Sequence, residues 1–326
     1  MIRLVLALLA AVLSPGIAGA QGWPTERPIR LIVPFQAGSS SDTIARIVSQ
    51  KLAERIGQQI VVDNRVGASA MIGTEAVARS QPDGYTLGLA NTTTHASATA
   101  LSANPTYDPV KDFAPVAMIG SSPFVLLSAP NFPPTTIAQL IALAKAKPGT
   151  ISYASAGPAS MAHLSGALFE KMAAVKLIHV PYRGTAQSVV DLMEGRIELL
   201  FGTIAPSLTH VRAGKMRALA TTGATRNGML PDVPTMAQSG LAGYESALWT
   251  AFVLPAGAPP AIIERLNRET NAVVNAPDAR EMLEQHGVEI ETGTPEVLAD
   301  RIHSDVVKWR DVIMGAGLKE PRTEMR

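Results

Sequence analysis

The chain is expected to adopt an α/β fold of two lobes with a cleft between them. Strand-like and helix-like segments alternate from residue 29 onward, the pattern of largely parallel sheets covered by helices. Two long apolar stretches of strand character, 114–129 and 244–254, bracket a complete α/β unit of its own. The length of 326 residues also exceeds what one core usually organises, since single cores stop growing near ~250–300 residues. One domain inserted in another, joined by two extended crossings that act as a hinge, accounts for all three. Lobe 1 is then 22–121 plus 248–326, and lobe 2 is 122–247.

The elements follow in order. Residues 29–34 read as a first strand, and 43–56 as an amphipathic helix in which Ile44, Ile47, Val48, Leu52 and Ile56 recur at helical spacing before Gly57 ends it. A second strand is 59–63, a helix 71–80, and a third strand 85–90, announced by the turn Pro82-Asp83-Gly84. Residues 105–113 are irregular and lead into the first crossing. The inserted unit has strands at 151–155, 177–180, 197–201 and 216–222, with helices starting near Met161, Thr185 and Pro206. After Pro255 come helices 260–275, 277–286 and 295–314 and a short strand 288–291.

The first 20 residues predict export. Arg3 is their only charge, Leu4 to Leu13 are apolar, and Pro15-Gly16 precede the small residues Ala18-Gly19-Ala20. These are the three parts of a secretory signal, and a membrane anchor would need about twice that apolar length. Cleavage after Ala20 would leave Gln21 first, in the periplasm, with a formal charge of 0 in place of +1. Charged residues are only 17% against 47% apolar, so the chain must bury much of itself. No basic footprint for nucleic acid is present. Zero cysteines excludes disulfides, thiolate metal sites and cysteine nucleophiles together.

Chemistry concentrates in loops between strands and helix starts. Phe35 to Asp42 contains Ser39, Ser40 and Ser41 directly before a helix, offering hydroxyl and backbone N–H donors backed by the helix dipole. Such a site suits an anion such as a carboxylate without any lysine or arginine. Ser41 or Asp42 would in addition cap the helix, and Asp42 is better suited to that than to meeting an anion. The inserted unit repeats the construction with Ala154, Ser155, Gly157 and Ser160. Asn91, Thr92, Thr93 and His95 follow the third strand, and Thr203 another, where α/β sheets present ligand sites. His95 is equally well read as a capping or surface residue. Tyr182-Arg183-Gly184 brings a cation that more often ties a loop to its own lobe. There is no G-x-S-x-G, H-E-x-x-H, Walker A or G-x-G-x-x-G pattern, and the histidines lack metal spacing. No catalytic residue, metal or cofactor is therefore assigned.

Several short segments, in their order and spacing, resemble one family. They are Pro34-Phe35…Gly38…Asp42, Asn64 to Ala68 with Ile72-Gly73, Pro82 to Thr86, Tyr153 to Gly157, His179 to Gly184, Leu230 to Thr235 and Trp249…Pro255 to Gly257. The chain is similar to the extracytoplasmic receptors of tripartite tricarboxylate transporters, the TctC or Bug family, over nearly its whole mature length. The resemblance implies a type II periplasmic-binding fold whose lobes close on a carboxylate. It implies that the loops 35–42 and 153–160 hold that group mainly through main-chain and hydroxyl donors. It also implies handoff to a large and a small membrane subunit, with di- and tricarboxylates, amino acids and aromatic acids among family ligands. A monomer is expected. The family usually has glycine where this chain has Ser39, which would narrow the pocket mouth and add a donor. Two other readings differ in class: a receptor signalling to a sensor kinase, and an exported hydrolase using a serine among Ser39–Ser41 or Ser155.

Overall fold

The computed structural model describes residues 22–319, so the leader expected over 1–20 lies outside the described residues. Ten strands and ten α-helices are found there: β1 Ile29–Val33, α1 Ser40–Ile56, β2 Ile60–Asn64, α2 Met71–Ala78, β3 Thr86–Asn91, α3 Ala98–Leu101, β4 Phe113–Ser128, α4 Ile137–Ala146, β5 Ser152–Ser155, α5 Met161–Ala173, β6 Ile178–Pro181, α6 Thr185–Met193, β7 Leu199–Thr203, α7 Ile204–Arg212, β8 Arg217–Thr221, β9 Ala247–Pro255, α8 Pro260–Asn275, α9 Pro277–Gln285, β10 Glu289–Ile290 and α10 Pro295–Gly315.

The strands run in the order β2-β1-β3-β9-β4-β7-β5-β6, with β8 and β10 also on β4. Pairing among β1, β2 and β3, and among β5, β6 and β7, is parallel, as the strand–helix alternation requires. The strand β4 joins the two halves. Its 16 residues pair with β9 from Phe113 to Pro123 and then with β7 from Phe124 to Ser128. A side chain alternates faces every residue in a strand, so a strand buried on both sides must be apolar throughout; β4 is buried along most of its length.

Each half has its own cores. One face of the first sheet packs Leu31, Leu87 and Phe252 against Ile44, Val48 and Leu52 of α1 and Leu266 of α8. The other face holds Ile32, Trp249 and Leu298. In the second half Tyr153, Phe169 and Phe201 form the main cluster. The helix α10 enters both, with Leu298, Ile302 and Val306 in one cluster and Trp309, Val312 and Ile313 in the other. Its middle is tied to β9 where Trp249 Nε1 donates to Asp305 Oδ2 at 2.8 Å.

The strand expected from 244 begins at Ala247, and the helix α4 is an element the sequence reading lacks. Two further differences have clear physical reasons. The helix read as 43–56 begins at Ser40, because Ser39 rather than Ser41 or Asp42 is the cap. The polar residues after β3, read as a loop, form a buried helical turn at Thr93–Ser97 that continues into α3. Asn91 starts it, accepting from Thr94 N at 3.0 Å through Oδ1 and donating its own N–H to Thr94 Oγ1 at 2.9 Å. No helix among the described residues is long and apolar enough to cross a membrane.

Candidate ligand-binding cleft

The register sets the ends of β3 and β7 against one another. Asn91, at the end of β3, pairs with Thr250 of β9, which pairs with Gly120 of β4. Thr203, at the end of β7, pairs with Phe124 of β4. β3 and β7 approach these two points from opposite directions, and four residues of strand separate them, about 13 Å at ~3.3 Å per residue. The ends of β3 and β7 therefore face one another along β4.

On the first side, Ser39 (φ −68°, ψ 161°) accepts from Asp42 N at 3.3 Å and, through its carbonyl, from Thr43 N at 2.9 Å. The first four N–H groups of a helix have no intrahelical partner; that of Ser39 goes to Gln36 O at 3.1 Å and that of Asp42 to the Ser39 hydroxyl, which leaves those of Ser40 and Ser41. Asp42 is buried and holds the loop from behind. It accepts from Gly38 N at 2.8 Å, Arg46 Nε at 2.9 Å and Asn64 Nδ2 at 2.8 Å. Asn64 Nδ2 also donates to Phe35 O at 3.0 Å. Burial opposes ionisation of Asp42, but the hydrogen bonds from Arg46, Asn64 and Gly38 outweigh it and hold the carboxyl below its usual range. Gly38 sits at φ +80°, where a side chain is strained.

The second side repeats this geometry. Ser160 (φ −62°, ψ 156°) accepts from His163 N at 3.3 Å and Leu164 N at 2.9 Å, leaving the Met161 and Ala162 N–H groups free of the helix. Gly157, at φ +125°, gives its N–H to Ser155 Oγ at 3.1 Å, and its carbonyl accepts from Ser160 Oγ at 2.8 Å.

The residues expected at the site divide by exposure. Ser40 and Thr203 are exposed, while Phe35, Ser39, Thr93, Gly157 and Ser160 are partly so. Ser41, Asp42, Asn91, Thr92, His95, Ala154 and Ser155 are buried and act, where they act, through others. Asn91 Nδ2 donates to Ser41 Oγ at 3.4 Å. Thr92 ties β3 to β9, donating to Ala247 O at 3.0 Å and accepting from Trp249 N at 3.1 Å. His95 presents no surface to a ligand here: it is 0% exposed, packed edge-on to Phe113 at 4.5 Å, and burial lowers its pKa to about 3. Thr203 opens beside an apolar cavity of about 360 Å³ between α6 and α7. Ser155 Oγ lies 2.7 Å from His179 Nε2. That distance would suit a hydrolase, yet the serine is fully buried with its hydroxyl engaged by Gly157. Among the described residues no group of three or more His, Cys, Asp or Glu could hold a metal.

Comparison with known proteins decides the family. Residues 44–318 match the sequence profile described as "Tripartite tricarboxylate transporter family receptor". The chain belongs to this family. It is 35% identical to Protein BugT of Bordetella pertussis over 324 residues, covering 98% of this chain and 99% of that protein. Among solved structures, an R. palustris protein crystallised with adipate is 35% identical, with a TM-score of 0.73 over 90% of this chain and 98% of its own. MatC from Rhodopseudomonas palustris, with bound malate, is 30% identical, with a TM-score of 0.70 over 89% and 99%. The fold is accordingly that of the periplasmic binding proteins, and this member of the tripartite tricarboxylate receptor family is a solute-binding protein, not an enzyme.

Proposed function

We propose that the protein captures a small carboxylate between the starts of α1 and α5 and delivers it to the large and small membrane subunits of a tripartite transporter. The observation that carries this is the pair of serine-capped helix starts, each with two N–H groups outside the helix's own hydrogen bonds. Such donors, reinforced by helix dipoles, bind anions. The adipate and malate bound by the two structural relatives support the same ligand chemistry. On this reading the ligand is met by Phe35, Ser39, Ser40, the main-chain N–H of Ser41, Thr93, Gly157, Ser160 and Thr203, while the Ser41 side chain, Asp42, Asn91, Thr92, Ala154 and Ser155 shape those loops. The lobes divide near residues 121–122 and 247–248 and pivot about β4 and β9.

A panel of mono-, di- and tricarboxylates and amino acids, scored by thermal unfolding, tests the reading. A true ligand at one hundred times its Kd stabilises the protein by ~2.7 kcal/mol. No shift across the panel would overturn carboxylate capture. Co-purification of ligand-loaded protein with the membrane subunits tests delivery, and a mature chain beginning at Gln21 tests export and processing.

A further inference from the structure

The two helix starts share one geometry but differ in two residues. Before α1, a residue of positive φ (Gly38, +80°) donates its N–H to the side chain four residues on, Asp42 Oδ2, at 2.8 Å. Before α5, Ala159 (φ +60°) donates its N–H to His163 Nδ1 at 3.0 Å. An imidazole thus stands where the other loop has a carboxylate. His163 stacks on His179, with centroids 3.6 Å apart and planes 8° from parallel. His179 Nε2 in turn reaches Ser155 Oγ at 2.7 Å, the hydroxyl that accepts from Gly157 N. Both rings therefore grip the 155–160 loop from behind, at its two ends.

We propose that His163 and His179 are positioning residues, a neutral stacked pair that holds the 155–160 loop in its ligand-gripping shape, and that protonation of His163 releases it. The inference rests on the reading of this loop as one of two carboxylate grips. Only an unprotonated Nδ1 can accept from Ala159 N–H; an imidazolium sets N–H against N–H. An alanine holds φ +60° only while that bond and its neighbours constrain it. His179 can serve Ser155 either as donor or as acceptor, so His163 is the sensitive member. Among the described residues, the charged and titratable groups around the pair are Tyr153 from β5, Glu170 and Lys171 from α5 and Lys176 ahead of β6, which share with both rings a cavity of about 400 Å³, and Asp311 of α10, paired to Lys171. Burial, and then the neighbouring His179, lower the His163 pKa from 6.5 to about 4. The held loop therefore binds the proton more weakly than the released loop. Holding is complete above pH 6.5 and is lost progressively as pH falls toward 4. Asp42 stays ionised across that window, so only the second loop responds.

The test uses the ligand-free mature protein and follows the Ala159 and Gly157 amides by NMR and hydrogen exchange between pH 7.5 and 4. Wild type is expected to lose Ala159 protection, corrected for intrinsic exchange, by up to ~10-fold per pH unit below 6.5. H163N offers an oxygen acceptor that does not titrate; its protection should equal wild type at pH 7.5 and stay flat in acid. H163A should be unprotected throughout, and if it does not fold, the H163N comparison decides alone. Ala159 protection that is pH-independent in wild type, or that falls identically in H163N, overturns the proposal. Adipate binding is measured in parallel. If neither adipate nor the wider panel binds while Ala159 titrates as described, carboxylate capture fails and the histidine device stands. If acids bind and Ala159 does not titrate, the reverse holds.

Discussion

Removing the charge of Asp42 separates two opposite expectations. A buried carboxylate beside an anion site would repel the ligand, so neutralising it should tighten binding. If instead Asp42 is the pin of the 35–39 loop, neutralising it should weaken binding. The structure favours the pin, because Oδ2 accepts from Gly38 N and Arg46 Nε and Oδ1 from Asn64 Nδ2. Bonds to a charged acceptor contribute ~1.5–3 kcal/mol each. The Arg46 side chain is 52% exposed, so its share falls to at most ~1 kcal/mol. Gly38 is exposed and regains water, which places the other two at the low end of their range. D42A should therefore lose about 3 kcal/mol, and D42N about 2 kcal/mol, since one amide oxygen cannot replace both carboxylate oxygens. At ~2 °C per kcal/mol for a chain of this size, the melting point should drop by roughly 6 and 4 °C. Because the folded pKa of Asp42 is depressed, its contribution is present above the ordinary value of 3.8 and lost as pH falls below it. Wild type should thus lose stability in acid more steeply than D42N. Calorimetry gives the stabilities, and titration with an acid found in the panel gives affinity, expected to weaken about tenfold in D42N, ~1.4 kcal/mol. Tighter binding by D42N would refute the pin.

Three other perturbations test the frame around the cleft. D305A removes a 2%-exposed carboxylate that accepts from Trp249 Nε1 and pairs with Lys308 at 2.6 Å; stranding these partners should cost about 3 kcal/mol in urea unfolding, and a loss under ~1 kcal/mol would contradict the account. G166A would set a Cβ 2.2 Å from Tyr153 Cε2, and that ring is hemmed in by His179 and Phe201, so a loss of ~1–3 kcal/mol is expected, with ligand affinity falling because Tyr153 lies at the base of the second loop. Burial raises the Glu289 pKa while Asn227 Nδ2, donating at 2.6 Å, opposes the rise; E289Q keeps an acceptor for Asn227 and should stabilise the protein at pH 7 but not below the ordinary carboxylate pKa, a difference visible in melting points at pH 7 and pH 4.

Apart from α3 and α4, the order of elements was legible because strand–helix alternation and helix periodicity are local properties, and β4 was visible as an apolar stretch too long for a one-sided strand. The two serine-capped helix starts were legible for a similar reason, since serine before an amphipathic run favours a helix start. What failed was distinguishing an exposed loop residue from one that braces the loop. Ser155 and Ser160 look alike as letters, yet one is fully buried against His179 and the other caps α5 at the surface. The polar run after β3 read as loop because the turn is closed by side chains, Asn91 with Thr94 three residues on, and because Thr92 is held by the backbone of β9 more than 150 residues away. His163 escaped notice on a helix judged by its leucines. The signal was present: Ser39-x-x-Asp42 and Ser160-x-x-His163 share one spacing, but a capping search expects an acid at the last place.

The path of α10 bears on modularity. Residues 122–247 look like a cassette that could be excised or exchanged between relatives. Yet Trp309, Val312 and Ile313, distant in sequence, complete the cluster around Phe169 and Tyr244. A fragment ending near 247 would expose that cluster and leave a hole where an indole belongs, a loss of ~3–5 kcal/mol for the tryptophan alone. Grafting the second half of one receptor onto another therefore requires moving the final helix with it, and the whole chain should melt in one step rather than half by half.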